Sequence, residues 1–121
     1  MGYMRHHAIV VTSWTEPPDG LIASAHARAE AILPGLVSPI IPSRINGYSS
    51  FFIAPDGSKE GWDESVEGDT QRDELIAWLD AQRYADGSTS LDWIEVQFGD
   101  EEGESVITRH SDEPKRKRGR G

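Results

Sequence analysis

At 121 residues the chain has room for one domain and too little for two. It contains no cysteine, which excludes disulfides, thiolate metal sites and cysteine nucleophiles and fits a reducing compartment. The formal charge of −9 divides sharply: residues 1–113 hold all 21 acidic residues and seven Lys or Arg, a body of −14, whereas residues 114–121 hold five cations and no acid. Such a body repels nucleic acid, and such a tail attracts polyanions. We therefore expect a single acidic domain over 1–113 and a disordered basic tail over 114–121. No apolar run approaches the ~18–20 residues of a membrane span, and Ala8–Val11 is too short for the core of a signal peptide. The expectation is a cytoplasmic protein with no membrane partner.

Taken in chain order, Ala8–Trp14 reads as a strand, its β-branched run suiting burial on both faces. Leu21–Leu33 reads as a helix, with Ile22, Ala25, Ala29, Ile32 and Leu33 at helical spacing, Asp19 as its cap and Pro34-Gly35 as its stop. Leu36–Ser43 is apolar but holds Pro39 and Pro42, so at best it forms an edge strand. Asn46-Gly47 is a turn signal, and Tyr48–Ala54 follows as the second arm of a hairpin. Pro55–Gly68 reads as a long polar loop broken by Gly57, Gly61 and Gly68. A second helix is expected from a cap at Asp69 or Thr70 to about Tyr84, with Leu75, Ile76 and Leu79 as its apolar stripe and Trp78 at the edge. Trp93–Phe98 alternates, predicting Ile94, Val96 and Phe98 inward. Gly99–Gly103 is an acidic turn, and Ser105–His110 a last strand pairing back. The order β-α-β-β-α-β-β predicts an α+β fold: a ferredoxin-like βαββαβ sandwich with an added C-terminal edge strand.

The residues that carry chemistry are sparse. In a βαββαβ chain the third strand is where RNA-recognition motifs stack bases, but Tyr48 and Phe51 are three apart and point to opposite faces. The carboxylates Asp56, Glu60, Asp63, Glu64, Glu67 and Asp69 crowd one loop without the spacing of a calcium site, and no His-Glu-x-x-His is present. His26 reads as a helix-edge side chain bonding a neighbour, and no Gly-x-Ser-x-Gly accompanies His6, His7 or His110. There is no P-loop and no Gly-x-Gly-x-x-Gly. Arg44, Asn46, Tyr48, Ser58, Lys59 and Trp62 are nonetheless the types that hold a nucleotide by charge, hydrogen bonding and stacking, provided hairpin and loop lie at one end of the sheet. Lys115, Arg116, Lys117, Arg118 and Arg120 form the tail, an unspecific pattern similar to a nuclear-import signal that offers salt-sensitive phosphate contacts.

The stretch Asn46-Gly47-Tyr48-Ser49-Ser50-Phe51-Phe52-Ile53-Ala54-Pro55-Asp56-Gly57-Ser58-Lys59-Glu60-Gly61-Trp62 resembles a family of small bacteriophage-encoded accessory proteins. Asp86-Gly87-Ser88 and Leu91–Val96 extend the likeness over most of residues 8–112. The resemblance implies a setting rather than a residue role: a non-enzymatic binding protein in the host cytoplasm, with counter-defence as the implied task, acting on a host protein or sequestering a nucleotide signal. It calls for no cofactor. The alternatives are a metal-dependent hydrolase using the carboxylates of 56–69 and a nucleic-acid binder led by the tail. The last strand and the proline-bearing strand each offer a sheet edge for homo-oligomerisation.

Overall fold

The computed structural model describes residues 4–14, 21–99 and 103–111. Seven elements follow in order: β1 (His6–Trp14), α1 (Leu21–Ile32), β2 (Ile41–Pro42), β3 (Tyr48–Ile53), α2 (Asp63–Ala81), β4 (Asp92–Phe98) and β5 (Val106–His110). They form a mixed α+β domain. Its five strands make one antiparallel sheet in the order β2-β3-β1-β4-β5. Among the described residues no helix is long and apolar enough to cross a membrane.

One face of the sheet carries the core. The register sets Ile9 beside Ile53, and Val11 beside Phe51 and Trp93. These five are buried with Ile22, Ala25 and Ala29 of α1 and Leu75, Ile76 and Leu79 of α2. The alanines on α1 bring that helix close to the sheet, as their spacing predicts. His26 extends the contact, donating from Nε2 to the Ser38 carbonyl at 2.8 Å and meeting the Phe51 ring edge-on at 5.1 Å. Asp19, the expected cap of α1, lies outside the described residues.

The other face is open, which corrects two expectations. Strand β1 is buried on both faces only at its start, at Ala8 and Ile9, and is open on the far side from Val10 onward, where Val10 is 37 % exposed. Strand β4 is turned over relative to the alternation read from its apolar residues. Trp93 and Glu95 face the helices and are buried, whereas Ile94 and Val96 are half-buried on the open side and Phe98 is exposed there. The reason is size and charge together: Trp93 fills the core, and two arginines reach Glu95.

The hairpin turns as predicted, with Asn46 and Gly47 both left-handed at φ 71° and 69°. The proline-bearing segment pairs only at Ile41–Pro42 and at a single bridge from Val37 to Ile53, because proline has no N–H to give the ladder.

Candidate functional site

The structure divides the six residues proposed for a nucleotide cleft. Strands β1 and β3 are antiparallel, with Trp14 opposite Tyr48 and Ile9 opposite Ile53. Tyr48 therefore lies at one end of β3, where its ring stacks on Trp14 at 4.4 Å and 19°. Arg44 and Asn46 are exposed in the turn at that same end. Ser58, Lys59 and Trp62 come after the other end, where Lys59 bridges to Met4 and Glu60 meets His7 Nε2 at 3.0 Å. A six-residue strand spans about 17–20 Å, so the two trios do not share a cleft.

The second trio sits against α2, which begins at Asp63 rather than at Asp69 or Thr70. The expected loop 55–68 is therefore half helix. Trp62 takes the N-cap position in an extended conformation and makes no side-chain cap bond. Asp63 and Glu64 in the first turn face the positive end of the helix dipole. Gly68 lies inside the helix and is buried. A Cβ there would collide with the Asp56 carboxylate, so the glycine is what lets the preceding loop lie against the helix. Asp56 is held in turn by Ser58, accepting from its N–H at 2.9 Å and its hydroxyl at 2.7 Å. Burial pushes the Asp56 carboxyl up, but these bonds and the charges of Arg72 and His7 outweigh that and hold it below its ordinary value.

Between this loop and the helix is a cavity of about 400 Å³, lined by Asp56, Ser58, Trp62, Glu64, Glu67 and Gln71. It combines one indole with three carboxylates. Lys59 lies nearby, with Nζ 5.8 Å from the Trp62 ring centre. An aromatic face beside carboxylates suits a cation and opposes a phosphate. The acidity continues along the helix: all seven carboxylates of α2 are exposed, while its only basic residue, Arg72, is buried. Asp69, Asp73 and Asp80 pair with Arg72, Arg109 and Arg83. Asp63, Glu64, Glu67 and Glu74 have no ion pair among the described residues.

A buried ion network that the sequence reading missed fixes α2 to the sheet. Glu95 is 3 % exposed and accepts from Arg109 Nε at 2.7 Å, Arg109 Nη2 at 3.0 Å and the Thr108 hydroxyl at 2.8 Å. Arg72 Nε lies 3.7 Å away on the helix side, and Arg109 also donates to Asp73 at 2.8 Å. Burial raises the Glu95 carboxyl. The Arg109 and Thr108 hydrogen bonds, with the two guanidinium charges, lower it further than burial lifts it. The pairing raises Arg109, chiefly through its bond to Glu95. Each buried charge thus has a partner, the condition for keeping charge inside a fold.

The carboxylates of 56–69 do not converge on a metal. Asp56 turns to Ser58, Glu60 to His7 and Asp69 to Arg72. Among the described residues no group of three or more His, Asp or Glu is arranged to hold an ion. His6 rests against Phe98, and His110 donates to the Ser111 carbonyl. The cations Lys115, Arg116, Lys117, Arg118 and Arg120 lie outside the described residues. No family model, no curated protein and no solved structure matches this chain.

Proposed function

We propose that this chain is a non-enzymatic binding protein that grips a basic protein surface with the acidic side of α2, seating one cationic side chain against Trp62. The observation that carries the reading is the 400 Å³ cavity with one indole and the carboxylates of Asp56, Glu64 and Glu67, opening onto a helix face without an exposed cation. A lysine or arginine entering it would gain the indole's π face and two or three carboxylates, the combination that makes an interface anchor. Lys59 already lies over that ring, so the chain's own cation is the group an incoming one displaces.

The resemblance of 46–62 to phage accessory proteins supplies the setting in this reading: a host protein as target and counter-defence as the purpose. A nucleotide fits less well, because the trios are a strand length apart and the remaining cavity is acidic. The strand order β2-β3-β1-β4, with α1 after β1 and α2 after β3, supports placing the first six elements in the ferredoxin-like class, with β5 as the appended edge strand.

Calorimetric titration with a decalysine peptide tests the site. Trp62 makes no cap bond, so Trp62→Ala leaves the start of α2 intact. The variant is expected to bind about three- to tenfold more weakly than the wild type at low salt. Equal affinity would remove Trp62 from the site.

A further inference from the structure

The face of the sheet turned away from the helices is apolar and, among the described residues, no element covers it. Phe52, Val10 and Ile94 lie side by side across β3, β1 and β4. Val96 and Ile107 continue the surface onto β5. Phe52 is 41 % exposed and Ile107 58 %. A contiguous patch of this kind marks a contact surface rather than scattered apolar residues.

We infer that this face pairs with the same face of a second copy, giving a twofold dimer in which Phe52 of each chain enters a depression on the other. Three features select a second copy as the occupant. The first is the placement of knob and socket. Phe52 stands on one side of β1. On the other side, between β1, β4 and β5, is a depression of about 530 Å³ lined by Val10, Thr12, Asp92, Ile94, Ile107 and His110. Phe52 and Ile94 are both register partners of Val10, so knob and socket are level. A twofold axis running along β1 lays β3 of one copy over β4 of the other and brings each Phe52 over the opposite socket, which is what an isologous contact requires.

The second feature is charge. The body carries −14, so two copies repel wherever carboxylates meet. In register on the open face, Asp92 is the only acid among the strand residues, and it stands at the end beside Thr12. This is the surface on which two equally acidic bodies can approach. The third is size. Strands of nine, two, six, seven and five residues, rising about 3.4 Å per residue and standing about 4.8 Å apart, give a face of roughly 470 Å². Two such faces together come to about 950 Å², the low end of specific interfaces, which suits a dimer that forms in the micromolar range. Twisted sheets of the same hand pack face to face in this manner. The inference does not depend on the basic-partner reading, since α2 lies on the opposite side of the sheet. A dimer would display two acidic helices facing outward.

Sedimentation velocity on the full chain between 5 and 200 µM (roughly the range in which modest interfaces saturate) tests the inference. The expected mass at the upper end is twice the 13.4 kDa of one chain. Phe52→Lys is expected to return it to the single-chain mass with an unchanged far-ultraviolet spectrum. The absence of cysteine allows a second measurement that needs no destabilising change. Val10→Cys stands on the axis and is expected to form an intermolecular disulfide, whereas Val106→Cys on the outer strand is not. A wild type of single-chain mass throughout the range overturns the inference, and leaves the decalysine result untouched. So does a dimer that crosslinks through Val106→Cys and not Val10→Cys, which would be pairing through the β5 edge. If Phe52→Lys does not fold, the Val10→Cys result decides alone.

Discussion

Glu95 holds two arginines in place while almost wholly buried, so its loss leaves Arg72 and Arg109 only their outer partners, Asp56, Asp69 and Asp73, and empties the acceptor site between helix and sheet. Glu95→Ala is expected to destabilise the fold by about 3 kcal/mol in urea unfolding, and Glu95→Gln by less, because its amide oxygen still accepts. The pH dependence follows from the direction of the shifts. Glu95 and Asp56 both titrate below their ordinary values of 4.5 and 3.8. Their stabilisation is therefore complete above those values and is lost as pH falls through the lower, folded ones. Unfolding free energy measured from pH 7 down to pH 3 (about the window these carboxylates span) should stay level to about pH 5 and then drop. Glu95→Gln should flatten the drop, and an identical slope in the variant would contradict the assignment. Glu95 was illegible in the sequence because alternation assigns a charged residue to solvent. Its partners, Arg72 and Arg109, are 23 and 14 residues away along the chain and have no local signature.

Among the elements, α1 shows how well a helix reads when its buried positions are apolar. Ile22, Ala25 and Ala29 recur at helical spacing, and they are the residues it buries. Helix α2 shows the opposite. Its first half buries Ser65, Gly68 and Arg72, so no apolar stripe announces it, and Gly68 reads as a breaker. That glycine yields a prediction of reversed sign. In an open helix Gly→Ala stabilises by about 1 kcal/mol. Here the added methyl meets the Asp56 carboxylate and the Arg72 guanidinium, so Gly68→Ala is expected not to raise the melting temperature. A clear rise would show that loop 54–62 does not lie against α2. Strand β4 was found in the sequence but with its faces exchanged, because Trp93, Ile94 and Val96 are all apolar and only the tertiary partners of Glu95 break the tie. The six residues grouped for a nucleotide cleft are divided between the two ends of β3 for a related reason: which end of the sheet a loop occupies depends on strand direction, and neither Tyr48 nor Trp62 encodes that locally.

At the scale of the whole molecule, the layered arrangement separates two chemistries. The helices cover one face of the sheet, and α2 turns its carboxylates outward, while the other face offers Val10, Phe52 and Ile107 to its surroundings. The sequence already sets seven carboxylates within residues 63–81, and the fold turns all of them to solvent on one helix. In the proposed function, position rather than total charge makes α2 the binding surface. The most direct measurement is the affinity for decalysine of two variants with equal loss of charge, Glu64→Gln/Glu67→Gln in the cavity and Glu30→Gln/Glu104→Gln away from it. The first pair is expected to weaken binding several-fold more than the second. Equal weakening would mean that the peptide senses only the net charge, and would contradict the site.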